Sequence, residues 1–142
     1  MLRLLLCLTA AACACAADWT VGWKAAADQA AAAKKPILAD FTGSDWCGWC
    51  VKLKKEVFDT PEFAAWAKDK VVLLEIDFPR GKEQTAAVKQ ENRDLAEKYA
   101  IEGFPTILIL DAAGKEIGRL GYQQGGPKAW IAAAEAIIAK AK

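Results

Sequence analysis

Trp46-Cys47-Gly48-Trp49-Cys50 carries two cysteines at the spacing of a dithiol switch. Thiols three positions apart in the first turn of a helix close into a short disulfide with little rearrangement of the backbone. The first sulfur then lies over the helix N-terminus, where free N–H groups and the helix dipole favour negative charge. The thiolate is the reactive form, and such settings lower a thiol pKa from about 8.5 to about 3.5–7.5. Electron exchange with other thiols is the chemistry this spacing suits. Cys47 is expected to be the more exposed sulfur and to attack a substrate disulfide, forming a mixed disulfide. Cys50, one turn deeper, would then attack Cys47 and free the product. Run backwards, the same steps oxidise a dithiol, so the chemistry alone does not fix the direction.

The remaining cysteines do not compete for this role. Met1-Leu2-Arg3, the apolar run from Leu4 to Ala12 and the small residues Ala14-Cys15-Ala16 read as a secretory signal. Cleavage is expected before Ala17 or Asp18, giving a signal peptide over 1–16 and one domain over 17–142. Cys7, Cys13 and Cys15 leave with the signal, and the exported domain keeps Cys47 and Cys50. Lipoprotein anchoring at Cys13 is the weaker reading, because Ala10 stands where a lipobox wants leucine. The apolar run is also shorter than the roughly 20 residues of a membrane span, so no stable membrane insertion is expected. A periplasmic or secreted address follows. There a close cysteine pair is either a redox centre or a structural staple. A loop this short restrains little chain entropy, which weighs against the staple.

Composition narrows the field further. The chain has 142 residues, 54% of them hydrophobic and 26% charged, the balance of a single globular domain. Its formal net charge of +1 offers no basic field for nucleic acid. A zinc site is not expected from two mature thiols, no histidine and no second Cys-x-x-Cys. Val51 after Cys50 breaks a c-type haem motif. Gly125-Gly126 reads as a helix start, not a phosphate loop. No metal or other cofactor is expected.

The elements that must hold the cysteines follow from punctuation and periodicity. Trp23 to Lys35 is alanine-rich and free of Gly and Pro, a first helix that stops before Pro36. Pro36 to Phe41 suits a buried strand, and Thr42-Gly43-Ser44-Asp45 is the turn that delivers the chain to the cysteines. Cys47 to Phe58 continues as helix, with Val51, Leu53 and Val57 able to face inward and Lys52, Lys54 and Lys55 outward. Asp59-Thr60-Pro61-Glu62 caps a short helix through Ala67. Val71 to Asp77 reads as a central strand, Glu83 to Tyr99 as an amphipathic helix and Thr106 to Leu110 as another buried strand. Asp111-Ala112-Ala113-Gly114 turns into an edge strand over Lys115 to Leu120, and Gly125-Gly126-Pro127 opens a last helix. Trp19, Trp23, Trp66 and Trp130 are expected to pack, not to bind.

This order is an α/β one. With Cys-x-x-Cys at the first strand-to-helix junction and Gly103-Phe104-Pro105-Thr106 before the third strand, it resembles the thioredoxin superfamily from about Trp19 to Lys140. Asp40 to Cys47 and Gly121-Tyr122 are most similar to secreted bacterial thioredoxin-like proteins, in the branch that includes the C-terminal reducing domain of membrane electron-transfer proteins. The resemblance implies a thioredoxin-like fold, a central mixed β-sheet flanked by helices. It also implies a thiol–disulfide oxidoreductase that works on disulfides of exported proteins or peptides. An upstream thiol donor, such as a membrane electron-transfer protein, would recharge it, and a monomer is expected. A disulfide oxidase or isomerase, and a non-catalytic peptide-binding module, remain alternatives.

The same resemblance assigns roles residue by residue. Gly48 and Trp49 would help set the potential, which spans about −270 to −120 mV among related proteins. A histidine in that dipeptide favours oxidants, and this chain has none, so a reductant is the preferred reading. Trp46 and Trp49 would border the client site, with Trp49 either a packing platform or a plain surface aromatic. Asp40 resembles the buried aspartate that assists proton transfer at the second cysteine, and a carboxyl in an apolar strand has a raised pKa. Five residues separate Asp40 from Trp46 where thioredoxins commonly have four, so a bulge could disturb its register. Leu73 falls where the family's partner lysine usually stands; Glu75, two residues on and on the same face, could compensate, but a surface salt bridge is the preferred expectation. Pro105 is expected to be cis, leaving the backbone edge at Phe104 free to pair with an extended client.

Overall fold

Five short strands build the sheet that carries the cysteines. The computed structural model describes residues 16–141, so all of the expected signal peptide except its last residue, with Cys7, Cys13 and Cys15, lies outside the described residues. The strands are β1 (Trp19–Val21), β2 (Ile37–Thr42), β3 (Val72–Asp77), β4 (Thr106–Leu110) and β5 (Glu116–Leu120). They lie side by side in the order β1-β3-β2-β4-β5. β2 is buried at every position because it sits at the centre, parallel to β3 and antiparallel to β4. β3 is interior and β5 is an edge, in line with their hydrophobic patterns. β1 has no counterpart in the sequence reading. Three residues are too few to display a period, and only pairing with β3, Trp19 opposite Leu73, defines it.

Five helices, α1 (Trp23–Ala33), α2 (Gly48–Leu53), α3 (Pro61–Lys70), α4 (Ala86–Lys98) and α5 (Gly126–Ile138), cover the sheet. Strand alternation divides the core into two layers. Leu38, Leu73, Ile107 and Ile109 pack with Leu53, Val57, Phe63 and Trp130 from the side of α2, α3 and α5. Ala39, Phe41, Leu74 and Leu108 face the other way, onto Ala26 and Ala30 of α1 and Leu95 of α4. The small alanines of α1 let its backbone lie close to the sheet.

Caps account for where several helices begin. Thr60 accepts the Phe63 N–H ahead of Pro61, and Thr85 accepts the Val88 N–H. The second cap starts α4 at Ala86, later than the expected Glu83. The helix after the cysteines differs more from expectation. It is α-helical only to Leu53 and widens into a π-helical turn over Lys54–Phe58. Leu53 and Val57 face inward, but Val51 is 48% exposed. Val51 stands two residues from Leu53, about 200° around the α-helix, so it cannot share the inner face and turns to solvent.

Candidate active site

β2 ends at Thr42, and the next four residues swing the chain from the sheet to α2. The Gly43 carbonyl accepts the N–H groups of Trp46 (3.2 Å) and Cys47 (2.9 Å). The additional residue between Asp40 and Trp46 is taken up in this turn. β2 pairs with β3 in unbroken register from Ile37 to Thr42, so Asp40 keeps its place in the strand. Gly43 is required by close approach: a Cβ there would lie 2.5 Å from the Trp46 ring. Gly43→Ala is therefore expected to dislodge Trp46 and destabilise the fold by about 1–3 kcal/mol, the usual cost of overpacking. Urea unfolding and tryptophan emission would measure both effects.

Cys47 and Cys50 form a disulfide with a Cα–Cα separation of 5.2 Å. Cys47 occupies the N-cap of α2, one step before the helix proper, and its Sγ accepts the Cys50 N–H at 3.3 Å. The sulfur thus satisfies one of the donors that a helix start leaves open. A negative charge on Cys47 would strengthen that bond. The first turn of α2 contains no acidic residue to oppose it. Both residues are largely covered, Cys47 at 8% exposure and Cys50 at 4%. The expected order holds, but the margin is narrow, because the exposed surface around them belongs to Trp46 and Trp49.

These two tryptophans lie 40% and 57% exposed. The Trp46 indole donates to the Phe78 carbonyl at 2.7 Å and meets the Phe104 ring edge-on, and Phe104 in turn stacks on Phe78. Trp49 packs on Tyr122, whose hydroxyl donates to Glu56 at 2.6 Å. The Phe104–Pro105 peptide bond is cis. A Cβ on Gly121 would stand 3.5 Å from the Pro105 carbonyl, so the chain leaving β5 runs beside this proline. Trp46 and Trp49 thus flank Cys47 along the chain, and Phe104, followed by the cis Pro105, joins them through its contact with Trp46. Gly48 leaves open space above the first turn of α2.

Below them three carboxyl groups share one face of the sheet. Asp40 is buried, and its Oδ1 lacks a hydrogen-bond partner among the described residues. Burial, followed by the nearby charges of Glu75 and Asp77, pushes its pKa up to about 8. Glu75 stands opposite Asp40 in the β2–β3 register and is half-buried. It forms no salt bridge among the described residues, which corrects the expected surface pair. The parallel register turns it toward the acid, not the solvent. Its own pKa is raised by burial and by Asp77, against the pull of Lys82 and Lys54. Asp77 is tied by Ser44, whose N–H and Oγ both donate to it, at 2.9 and 2.5 Å.

Sequence reasoning missed Phe78, Arg80 and Asp45. The Asp45 carboxylate accepts the N–H groups of Arg80 (3.0 Å) and Gly81 (2.6 Å), pinning the loop after β3 onto the cysteine loop. Those backbone bonds hold the Asp45 pKa below the usual carboxylate range. A signal was present, since parallel β2 and β3 must send their following loops to the same end of the sheet.

Residues 23–136 match the family model described as a thioredoxin-like domain. The chain belongs to the thioredoxin-like family. Within it, the chain is 38% identical over 97 residues to the disulfide bond reductase DsbH of Chlamydia pneumoniae, covering 68% of this chain and 58% of that one. It is 33% identical over 103 residues to the thioredoxin-related protein DsbJ of the same organism, covering 72% and 30%. The chain therefore spans less than two thirds of the length of either relative. The solved structure of a DsbH oxidoreductase superposes with a TM-score of 0.82 at 32% identity, over 87% of this chain and 85% of that one. The thioredoxin-like fold is common to this chain and that structure.

Proposed function

We propose that this protein is an exported thiol–disulfide oxidoreductase that reduces disulfides of other proteins or peptides. The observation that carries the reading is the Cys47–Cys50 disulfide at the start of α2, with Cys47 Sγ accepting the Cys50 N–H. Reduced Cys47, as thiolate, attacks one sulfur of a client disulfide, and the other client sulfur leaves as a thiolate. Cys50 loses its proton and attacks Cys47, which expels the second client thiolate and restores the internal disulfide. Asp40 is the group that would take the Cys50 proton in the molecules where it is ionised, since a carboxylate with a pKa of about 8 is a base close in strength to a thiolate. Trp46 and Trp49 border the client, and the backbone at Phe104 offers it a strand-like edge.

The reducing direction is supported by the absence of histidine from the chain and by the similarity to a protein named a disulfide bond reductase. Signal-directed export to the periplasm, and recharging by a membrane-bound thiol donor, belong to the same reading. Equilibration with glutathione or dithiothreitol buffers gives the test. A midpoint potential of about −200 mV or lower, with catalysed reduction of insulin, is expected. A potential above about −150 mV would favour an oxidase or isomerase.

A further inference from the structure

The two exposed tryptophans each carry a cation. The Arg80 guanidinium lies 4.0 Å from the centroid of Trp46. Lys52 Nζ sits 5.1 Å from the centroids of both Trp49 and Tyr122. Trp46 immediately precedes Cys47, and Trp49 follows it within the first turn of α2. The cysteines are thus bracketed along the chain by two aromatic surfaces, each with positive charge upon it.

Neither cation is fully committed within the chain. Among the described residues no carboxylate lies within salt-bridge reach of the Arg80 guanidinium, and Lys52 has only the long 3.9 Å contact with Glu56. Backbone bonds to Asp45 hold the Arg80 loop in place, so the guanidinium is positioned without being neutralised by a direct pair. Glu56 is also engaged by the Tyr122 hydroxyl. Nearby, Lys54 pairs with Asp59, while Lys82 donates to Ser44 Oγ and adds a further positive charge. Asp45 and Glu56 are the acids close to the bracketing cations, and each already serves a bond of the scaffold.

We propose that Arg80 and Lys52 make this surface selective for extended client segments that carry an Asp or Glu close to the reacting cysteine. The inference rests on the oxidoreductase reading above and adds the client's charge to it. Over the Trp46 ring the Arg80 side chain makes no hydrogen bond among the described residues, so its N–H groups remain to pair with a carboxylate in the bidentate fashion guanidinium favours. The tryptophan faces beneath would cover the apolar part of the same segment. Such cations act at short range and are screened by salt.

The test uses three synthetic peptides that differ only in the residues flanking one cysteine: Asp, Asn or Lys. Each peptide is presented as a mixed disulfide with 2-mercaptoethanol, a neutral partner. The fully reduced protein supplies two electrons, becomes the Cys47–Cys50 disulfide and releases peptide thiol and mercaptoethanol. No other reductant is needed. At low ionic strength the Asp peptide is expected to react about 5-fold faster than the Lys peptide, the Asn peptide falling between. Arg80→Gln with Lys52→Gln, which keeps planar or aliphatic cover without charge, should bring that ratio to within about 2-fold, as should about 0.5 M salt. Lys24→Gln removes a single positive charge from α1, on the opposite side of the sheet, and should leave the ratio intact. Equal rates for the three peptides, or a preference that survives Arg80→Gln with Lys52→Gln, would overturn the inference while leaving the oxidoreductase reading in place. Failure to reduce any of the three would remove both.

Discussion

Cys47→Ala should lower the rate of insulin reduction by roughly 10³-fold or more, to the uncatalysed background, because it removes the attacking sulfur. Cys50→Ala should fail differently. Cys47 would still attack, but nothing could resolve the mixed disulfide, so clients would remain covalently attached. Mass spectrometry under non-reducing conditions should find adducts on Cys47 in that variant and none in the Cys47→Ala protein. The contrast is larger than any effect of altered packing, since both side chains are small and lie at the rim of the core. If Cys47→Ala retained more than a tenth of the activity, the attacking role would pass to another group.

Asp40→Asn should change how stability depends on pH. In the folded, oxidised protein Asp40 holds its proton up to about pH 8, whereas its ordinary pKa is 3.8. Between those values the native state binds a proton that the unfolded chain has released. Stability from this group is therefore fully present below about pH 4 and is lost as pH rises toward 8. The slope approaches 1.4 kcal/mol per pH unit for one whole proton, or about several kcal/mol across the window. Asparagine cannot ionise, so the variant should lose that slope and gain stability relative to the parent at pH 8–9. Urea unfolding of the oxidised proteins at pH 6 and pH 9 measures it. Identical slopes would mean that Asp40 is ionised in the native state. In the reduced protein the same substitution should slow client release by about 10²-fold, the lower end of what a positioned proton acceptor supplies.

The parts of this molecule that could be read from sequence are those whose signal is local. Buried strands such as Ile37–Thr42 and Thr106–Leu110 announce themselves by mostly apolar residues between breakers. Thr60-Pro61 marks a helix start by its own hydrogen-bonding chemistry. What escaped depends on neighbours distant in sequence. β1 exists because Trp19–Val21 finds β3. Glu75 could be placed on the face of Leu73, but the preference for a surface salt bridge gives way only when the strand register sets it opposite Asp40. Val51 looked like a core position by its apolar side chain alone, but the α-helix that turns Cys50 and Leu53 inward leaves Val51 facing away. The cysteine pair itself was plain, but its setting was not. Arg80 and Phe78 reach it only through the parallel pairing of β2 with β3.

The central claim is that Cys47, as the N-cap of α2, is the sulfur that ionises and reacts. Alkylation of the fully reduced protein by iodoacetamide across pH 5–10, with the modified residue located by mass spectrometry, tests it most directly. Modification confined first to Cys47, with a midpoint below about pH 7.5, is the predicted result. Equal labelling of Cys47 and Cys50, or a midpoint near the 8.5 of a free thiol, would contradict it.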